Sequence, residues 1–184
     1  MLSSQENRNS TTSWVKMSRY IRLLNCVKTN IAALPLTCSQ IVCRTRIEER
    51  LAYPGVVNLY GPPGTGKTVL GWMLSNDGDG VYVVHPTHQK AIILQTERIV
   101  FIDNAEAERS AFRRLIGDLE SAGIQRAVIV TRTPADDYVF RTELNLTDDD
   151  IGIAQKNLLK LGYPINQARF PTLWHLALQA AKEG

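Results

Sequence analysis

The sequence predicts a three-layer α/β fold in which helices flank a sheet of parallel strands. The prediction depends on three short β-rich runs, each followed by a glycine-rich or polar segment: Val56 to Tyr60, Ile99 to Ile102, and Ile124 to Val130. Runs of this kind are typical of buried parallel strands, and Ile99 to Ile102 is apolar at every position. Because ligands bind at the carboxyl ends of parallel strands, we expect the functional residues to follow these runs.

The first run leads into the pattern G-x-x-x-x-G-K-T and then into a segment from Thr68 to Leu74 that can form a helix. In this pattern, backbone N–H groups surround a phosphate, the lysine reaches the β- and γ-phosphates, and the hydroxyl contacts Mg²⁺. The helix N-terminus adds the positive end of its dipole. We therefore predict nucleotide binding rather than an ordinary surface turn. The predicted binding residues are Gly61, Pro62, Pro63, Gly64, Thr65, Gly66, Lys67, Thr68 and Val69.

The second run ends in a carboxylate, Asp103. A carboxylate at the tip of a buried strand can hold Mg²⁺, usually through water, together with the Thr68 hydroxyl and the phosphates. The alternative is that Asp103 simply ends a strand. Downstream of a phosphate-binding loop we favour a metal site formed by Thr68 and Asp103.

The third run ends in Thr131 and Arg132, which again places polar groups at the carboxyl edge of the sheet. An arginine there could reach the γ-phosphate and report whether it is present. An ordinary surface ion pair is the alternative role for Arg132.

Length and composition limit the remaining possibilities. The 184 residues, 44% of them hydrophobic, allow one domain plus an extension. No apolar run approaches the roughly 18 residues of a membrane span, and the N-terminus lacks the apolar segment of a secretory signal. We expect a cytoplasmic protein without a membrane partner. The three cysteines fit no disulfide or metal pattern and are predicted to be buried, as are Trp72 and Trp174.

The N-terminal part of the chain is basic. Residues 1–50 contain eight Lys or Arg and three Asp or Glu, whereas the whole chain has a net charge of +3. Residues 1–12 are predicted to be disordered, and an amphipathic helix is predicted from Trp14 to about Ala33. Its basic side chains could contact nucleic acid or could form the solvated face of a packing helix.

The other elements follow from hydrophobic spacing and from caps. Thr37 to Leu51 fits a helix with Ile41, Ile47 and Leu51 buried, and Thr147 with Asp150 forms a capping box for a later helix. The remaining predicted elements are a strand at Val81 to Val84, a polar stretch followed by a short apolar piece over residues 86–94, a helix from Ala105 to Ala122 stopped by Gly123, a strand from Tyr138 to Leu146, a helix stopped by Gly162, and a helix from Pro171 to Ala181. We divide the chain into an N-terminal tail and basic helix (1–36), a nucleotide-binding core (37–146) and a short helical lid (147–184).

The order of these motifs resembles the P-loop ATPases of the AAA+ and STAND group over about residues 37–165. The resemblance is carried by Gly61–Thr68, by a Walker B-like strand ending in Asp103, by the sequence Asp103-Asn104-Ala105-Glu106, and by Val130-Thr131-Arg132 at the sensor-1 position. It implies a five-stranded parallel sheet in the order 5-1-4-3-2, ATP and Mg²⁺ as cofactors, and self-association or a protein partner. It also implies catalytic roles for Lys67, Asp103, Asn104 and Arg132.

The chain departs from this family pattern in two places. Asn104 follows Asp103 where many AAA+ ATPases have a water-activating glutamate, and Glu106 is a weaker candidate for that role. Only thirty-six positions separate Lys67 from Asp103, so we expect the helix between the second and third strands to be reduced or absent.

Three functions remain open. The favoured one is a Mg-ATP-binding switch with slow ATP hydrolysis. A nucleic-acid-associated ATPase of the initiator or loader kind is the alternative, and a small-molecule or nucleotide kinase is less favoured because the sequence has no arginine-rich lid segment.

Overall fold

The computed structural model describes residues 6–76, 80–84, 99–166 and 169–183, with side chains described from residue 17 onward. The helices are α1 (Glu6–Thr29), α2 (Cys38–Leu51), α3 (Lys67–Asn76), α4 (Arg109–Ser121), α5 (Asp148–Lys160) and α6 (Leu173–Glu183), and a short 3-10 helix covers Ile31–Ala33. The strands are β1 (Gly55–Tyr60), β2 (Gly80–Val83), β3 (Ile99–Ile102), β4 (Arg126–Val130) and β5 (Phe140–Glu143).

The five strands form one parallel sheet in the order β2-β3-β4-β1-β5. This order confirms the predicted 5-1-4-3-2 arrangement. Leu59 of β1 is paired with Val130 of β4 and with Thr142 of β5. Since all strands run the same way, the segments that follow β1, β3 and β4 meet at one edge of the sheet.

Apolar residues are buried on both faces of the sheet, as the three-layer prediction requires. On one face, residues of α2 and α3 such as Ile47 and Leu70 pack against Leu59. On the other face, Phe112 of α4 packs with Ile129. A third cluster joins α1 to the C-terminal helices α5 and α6, and it contains Tyr20, Leu23, Val27, Leu158 and Leu176. The N-terminal helix is therefore packed beside the lid.

The first helix begins earlier than predicted. Residues from Glu6 onward are helical, whereas disorder is predicted for residues 1–12 and a helix only from Trp14. The serine, threonine and asparagine residues in this stretch have lower helix propensity than alanine, but the sequence has no glycine or proline from Glu6 to Ala33 to interrupt a helix.

Several other boundaries and burial predictions need correction. The fourth helix begins at Arg109 because the Glu108 carboxylate accepts hydrogen bonds from the Ser110 and Ala111 N–H groups and caps it. The last strand covers only Phe140–Glu143. Cys38 is exposed and Cys26 is half-buried, so only Cys43 fits the predicted burial.

The predicted buried stripe of α2 is also partly wrong. Ile41 is 51% exposed and the polar Gln40 is buried. The helix buries Gln40, Cys43, Ile47 and Leu51, which are three or four residues apart and lie on one face.

Some predictions fall outside the described residues, and others agree with the structure. The predictions for residues 86–94 and for a reduced helix between β2 and β3 lie outside them. Gly123 and Gly162 follow α4 and α5 with positive φ of 77° and 82°, as expected of helix stops. Within the described part of the chain, no helix has the length and apolar character needed to cross a membrane.

Candidate functional site

The loop Gly61–Thr68 connects β1 to α3, and Lys67 and Thr68 are the first two residues of that helix. Gly66 has a φ of 94°, and a Cβ atom there would lie 2.7 Å from Gln40 Nε2. Glycine is needed at this position for both its backbone conformation and the space. The loop therefore has the local geometry that its sequence pattern predicts.

Gln40 of α2 supports this loop from the side. Its side-chain amide donates a hydrogen bond to the Gly66 carbonyl at 3.0 Å, and its oxygen accepts one from the Thr37 N–H at 3.0 Å. The second bond belongs to the capping box that begins α2. One side chain thus fixes both the start of a helix and the phosphate-loop backbone.

Lys67 turns its ammonium group back toward its own loop. The Nζ atom donates hydrogen bonds to the carbonyls of Gly61 at 2.6 Å and Pro62 at 2.8 Å. Burial lowers the pKa of Lys67, the Asp103 carboxylate opposes that shift, and the Arg132 guanidinium adds to it. The charges of Asp103 and Arg132 therefore both act on the Lys67 ammonium group.

Asp103 lies at the end of β3 with only 4% of its surface exposed. Its Oδ2 atom accepts hydrogen bonds from the Thr68 hydroxyl at 2.7 Å and from the Tyr82 hydroxyl at 2.6 Å. Its Oδ1 atom accepts one from the Asn104 N–H at 2.8 Å. Asp103 and Thr68, which the sequence analysis assigns to one metal site, are therefore direct neighbours.

The donor atoms of this pair fit Mg²⁺. A hydroxyl and a carboxylate are hard oxygen ligands, and Mg²⁺ in nucleotide sites is held by one or two such protein groups with phosphate oxygens and water. Thr68 and Asp103 are the residues that would hold the ion.

Asn58 holds the segment after β4 in place. This buried asparagine of β1 donates from Nδ2 to the Ile129 carbonyl at 3.0 Å and to the Thr131 hydroxyl at 2.9 Å, and it accepts from the Ala135 N–H at 3.0 Å. Arg132 follows Thr131 and is exposed. The network therefore fixes the backbone on both sides of the Arg132 position.

A cavity of about 980 Å³ brings most of the predicted site residues together. The predicted site residues and their sequence neighbours that line the cavity are Pro63, Gly64, Gly66, Lys67, Thr68, Val69, Asp103, Asn104, Glu106, Arg132 and Thr133. Gly61, Pro62 and Thr65 are not among the lining residues. They shape the loop instead, since the Thr65 hydroxyl donates to the Pro62 carbonyl at 3.1 Å and the Gly61 carbonyl accepts from Lys67.

The apolar part of the cavity is formed by α1 and the lid. Tyr20 and Val27 come from α1, and Trp174 and Ala177 come from α6. The rings of Tyr20 and Trp174 have centroids 4.8 Å apart. Trp174 is 50% exposed, so its predicted burial in the core is wrong. An indole that faces an open cavity is available to contact a ligand.

Three residues of the site were missed by sequence reasoning. Gln40 carries a signal, because Thr37 and Gln40 have capping-box spacing. Asn58 carries another, since an amide in the middle of an apolar strand needs a buried partner. Tyr82 gives no signal, because its contact with Asp103 depends on how two strands are paired.

Comparisons with known proteins support the fold. No family model matches the chain, and no curated protein matches it. The crystal structure of a DNA replication initiation factor matches with a TM-score of 0.50 at 11% identity, over 74% of this chain and 56% of that one. AMPPCP-bound DnaA from Aquifex aeolicus matches at 14% identity (TM-score 0.45; 74% and 56% of the two chains), and RuvB of Thermotoga maritima at 20% (0.42; 64% and 51%).

The first of these likenesses supports the fold and says nothing of the activity. The chain spans about half the length of the solved structures that it matches. The sheet order together with the first of these likenesses confirms the predicted three-layer fold with a five-stranded parallel sheet.

Proposed function

We propose that the protein is a Mg-ATP-binding ATPase of the AAA+ type that acts as a nucleotide-dependent switch and hydrolyses ATP slowly. The observation that carries this proposal is the 2.7 Å hydrogen bond between Thr68 and Asp103, which lie thirty-five residues apart in sequence and line the same cavity as Lys67. A phosphate loop and a strand-end carboxylate in contact form the combination that binds Mg-nucleotide.

Each side chain in the site has a distinct proposed role. Backbone N–H groups at the start of α3 bind the phosphates, and the Lys67 ammonium exchanges its bonds to the Gly61 and Pro62 carbonyls for phosphate oxygens. Thr68 and Asp103 hold Mg²⁺, which neutralises phosphate charge when it is bound. Arg132, which lines the same cavity, would contact the γ-phosphate, and its charge would distinguish ATP from ADP.

The proposed switch depends on contacts between the phosphate loop and the lid. The Leu173 N–H at the start of α6 donates to the Gly64 carbonyl at 2.9 Å. A Cβ atom at Gly64 would lie 3.0 Å from Thr172 and Trp174, which indicates how closely the lid approaches the loop. A change in the loop on phosphate binding is therefore transmitted directly to α6.

Amide hydrogen exchange tests the switch. We expect ATP to slow exchange at Thr131–Thr133 and in the first turn of α6 more than ADP does, because only ATP supplies a γ-phosphate for Arg132. Lys67→Ala should remove the difference between the two nucleotides. Identical exchange patterns with ATP and ADP in the parent protein would contradict the switch.

A nucleic-acid-associated ATPase is a second candidate. Arg19, Arg22 and Lys28 of α1 are exposed, although Arg19 also donates to the Lys182 carbonyl at 3.4 Å and Lys28 lies over the Trp72 ring. The matching structure titled as a DNA replication initiation factor shares this fold. Binding through these basic side chains predicts an affinity for DNA that falls steeply with salt concentration, because phosphate contacts release counterions.

A further inference from the structure

Tyr82 contacts the metal-site carboxylate through a side chain that is firmly held. It lies on β2 opposite Phe101 of β3, and the two rings stack with centroids 5.7 Å apart and an angle of 19° between their planes. The Trp72 ring of α3 meets Tyr82 edge-on at 6.3 Å. The Tyr82 hydroxyl is therefore directed at Asp103 by ring packing on two sides.

The helix α3 is pressed closely against this aromatic stack. A Cβ atom at Gly71 would lie 2.2 Å from Phe101 Cε1, so only glycine allows the helix and strand to approach so closely. The same helix carries Thr68, the other donor to Asp103 Oδ2. Tyr82 and Thr68 thus reach one carboxylate oxygen from two elements that are packed together.

The hydrogen bonds to Asp103 can be counted against its acceptor capacity. An ionised carboxylate has about four acceptor positions on its two oxygens. Thr68 and Tyr82 occupy Oδ2, and the Asn104 N–H occupies one position on Oδ1. The Tyr82 phenol carries an O–H donor, and Asp103 Oδ2 accepts its hydrogen bond at 2.6 Å. The described residues leave one acceptor position on Oδ1 for a metal ion or its bound water.

We propose that Tyr82 is a positioning residue of the metal site, whose hydroxyl holds the Asp103 carboxylate in the single orientation that receives Mg²⁺. The inference rests on the proposed function, because it needs Mg-nucleotide to bind at this site. Without the hydroxyl, Oδ2 loses a donor and the carboxylate can rotate. Partners that orient a ligating group in this way typically contribute 10–100-fold to metal affinity.

The test is the benefit that Mg²⁺ gives to nucleotide binding. The affinity for AMPPCP, which is not hydrolysed, is measured by calorimetry in excess Mg²⁺ and in EDTA, and the ratio of the two affinities is the Mg²⁺ benefit. Tyr82→Phe keeps the ring and should lower this benefit by at least about tenfold while leaving the affinity in EDTA unchanged. Tyr138→Phe is the matched control, since it removes a phenolic hydroxyl from a side chain that is 83% exposed.

A double-mutant comparison separates positioning from a purely structural role. Asp103→Asn should lose the Mg²⁺ benefit, and adding Tyr82→Phe to it should change the benefit no further, because the hydroxyl acts through the carboxylate. The inference is wrong if Tyr82→Phe keeps the parent's Mg²⁺ benefit, weakens binding equally in Mg²⁺ and EDTA, or unfolds the protein. Failure of the parent protein to bind AMPPCP under either condition would instead contradict the proposed function.

Discussion

Asn104 is the residue whose chemistry sets the expected rate of ATP hydrolysis. It has a positive φ of 55°, lines the cavity, and donates from its side-chain amide to the Val84 carbonyl at 3.2 Å. An amide can orient a water molecule but cannot take its proton, and general-base assistance is worth about 10²–10⁴-fold. Glu106 also lines the cavity, yet it is exposed and lies two residues beyond Asn104.

We therefore predict a turnover below the usual enzyme range of about 1–10³ per second. Asn104→Glu should raise the steady-state rate of phosphate release by about tenfold or more, because it supplies a proton acceptor beside the site. Glu106→Gln should leave the rate within about twofold of the parent. A fast parent enzyme that Glu106→Gln silences would identify Glu106 as the base and contradict this assignment.

The functional residues could be predicted where a short sequence pattern identifies them. The glycine pattern identifies Lys67 and Thr68, and an apolar run ending in an acid identifies Asp103. Tyr82 could not be found in this way, because its bond to Asp103 requires β2 and β3 to pair in one register. Unless the pairing of β2 with β3 is known, the sequence does not indicate which tyrosine contacts the Asp103 carboxylate.

Asp150 connects two helices. It is fully buried and accepts hydrogen bonds from the Ser39 N–H and hydroxyl at the start of α2 and from the Thr147 N–H and hydroxyl at the start of α5. Burial alone would raise the pKa of Asp150, but these hydrogen bonds outweigh it and lower the pKa to about 2. The carboxylate therefore stabilises the folded protein in its ionised form.

The stabilisation from Asp150 should depend on pH in a defined direction. Its folded-state pKa of about 2 lies below the ordinary value of 3.8, so its contribution is present above about pH 4 and is lost as the pH falls toward 2. Asp150→Asn should lower the free energy of unfolding by about 2 kcal/mol at pH 7, measured by urea denaturation. The difference from the parent should shrink below pH 4, whereas Asp148→Asn, at an exposed position in the same helix turn, should show neither effect. An equal loss for both variants at pH 7 would contradict this role.

Helix caps and hydrophobic periodicity predicted the presence of the helices well. They predicted the first and last residues of those helices less well. The Thr147 and Asp150 capping box is present as predicted. Its second function, the bond to Ser39 of α2, was not predictable because it depends on how the two helices pack. Ile41 was predicted to be buried because it is apolar, yet it is exposed. Gln40 lies on the buried face of α2 instead, where its side-chain amide donates a hydrogen bond to the Gly66 carbonyl.

The strand order and the parallel direction of the strands place the phosphate loop, Asp103 and Arg132 at one edge of the sheet. Strand β1, which lies between β4 and β5, leads to the phosphate loop, and β3 and β4 lead to Asp103 and Arg132. The resemblance to AAA+ ATPases implied this order, and the structure agrees with it. The packing of α1 onto the lid was not predicted, because the apolar stripe of a helix does not identify its partner.

Completion of the site by a second copy of the chain is expected to affect turnover. In related chemistry an arginine supplied by a neighbouring molecule raises the rate by about 10³–10⁵-fold. We predict that the rate of ATP hydrolysis per molecule rises with protein concentration, as measured by phosphate release across a dilution series. A rate per molecule that stays constant across the series would contradict self-association and would favour a monomeric switch.

Binding of ATP at Gly61–Thr68 is the claim on which the rest depends, and calorimetric titration with ATP in Mg²⁺ measures it directly. The parent protein should bind one ATP, and Lys67→Ala should bind at least about tenfold more weakly, because charge-assisted hydrogen bonds to phosphate are worth about 1.5–3 kcal/mol. Lys156→Ala, which removes an exposed lysine from α5, should bind as the parent does. Equal affinities of the parent and Lys67→Ala, or no binding by the parent, would contradict the assignment of this loop as a nucleotide site.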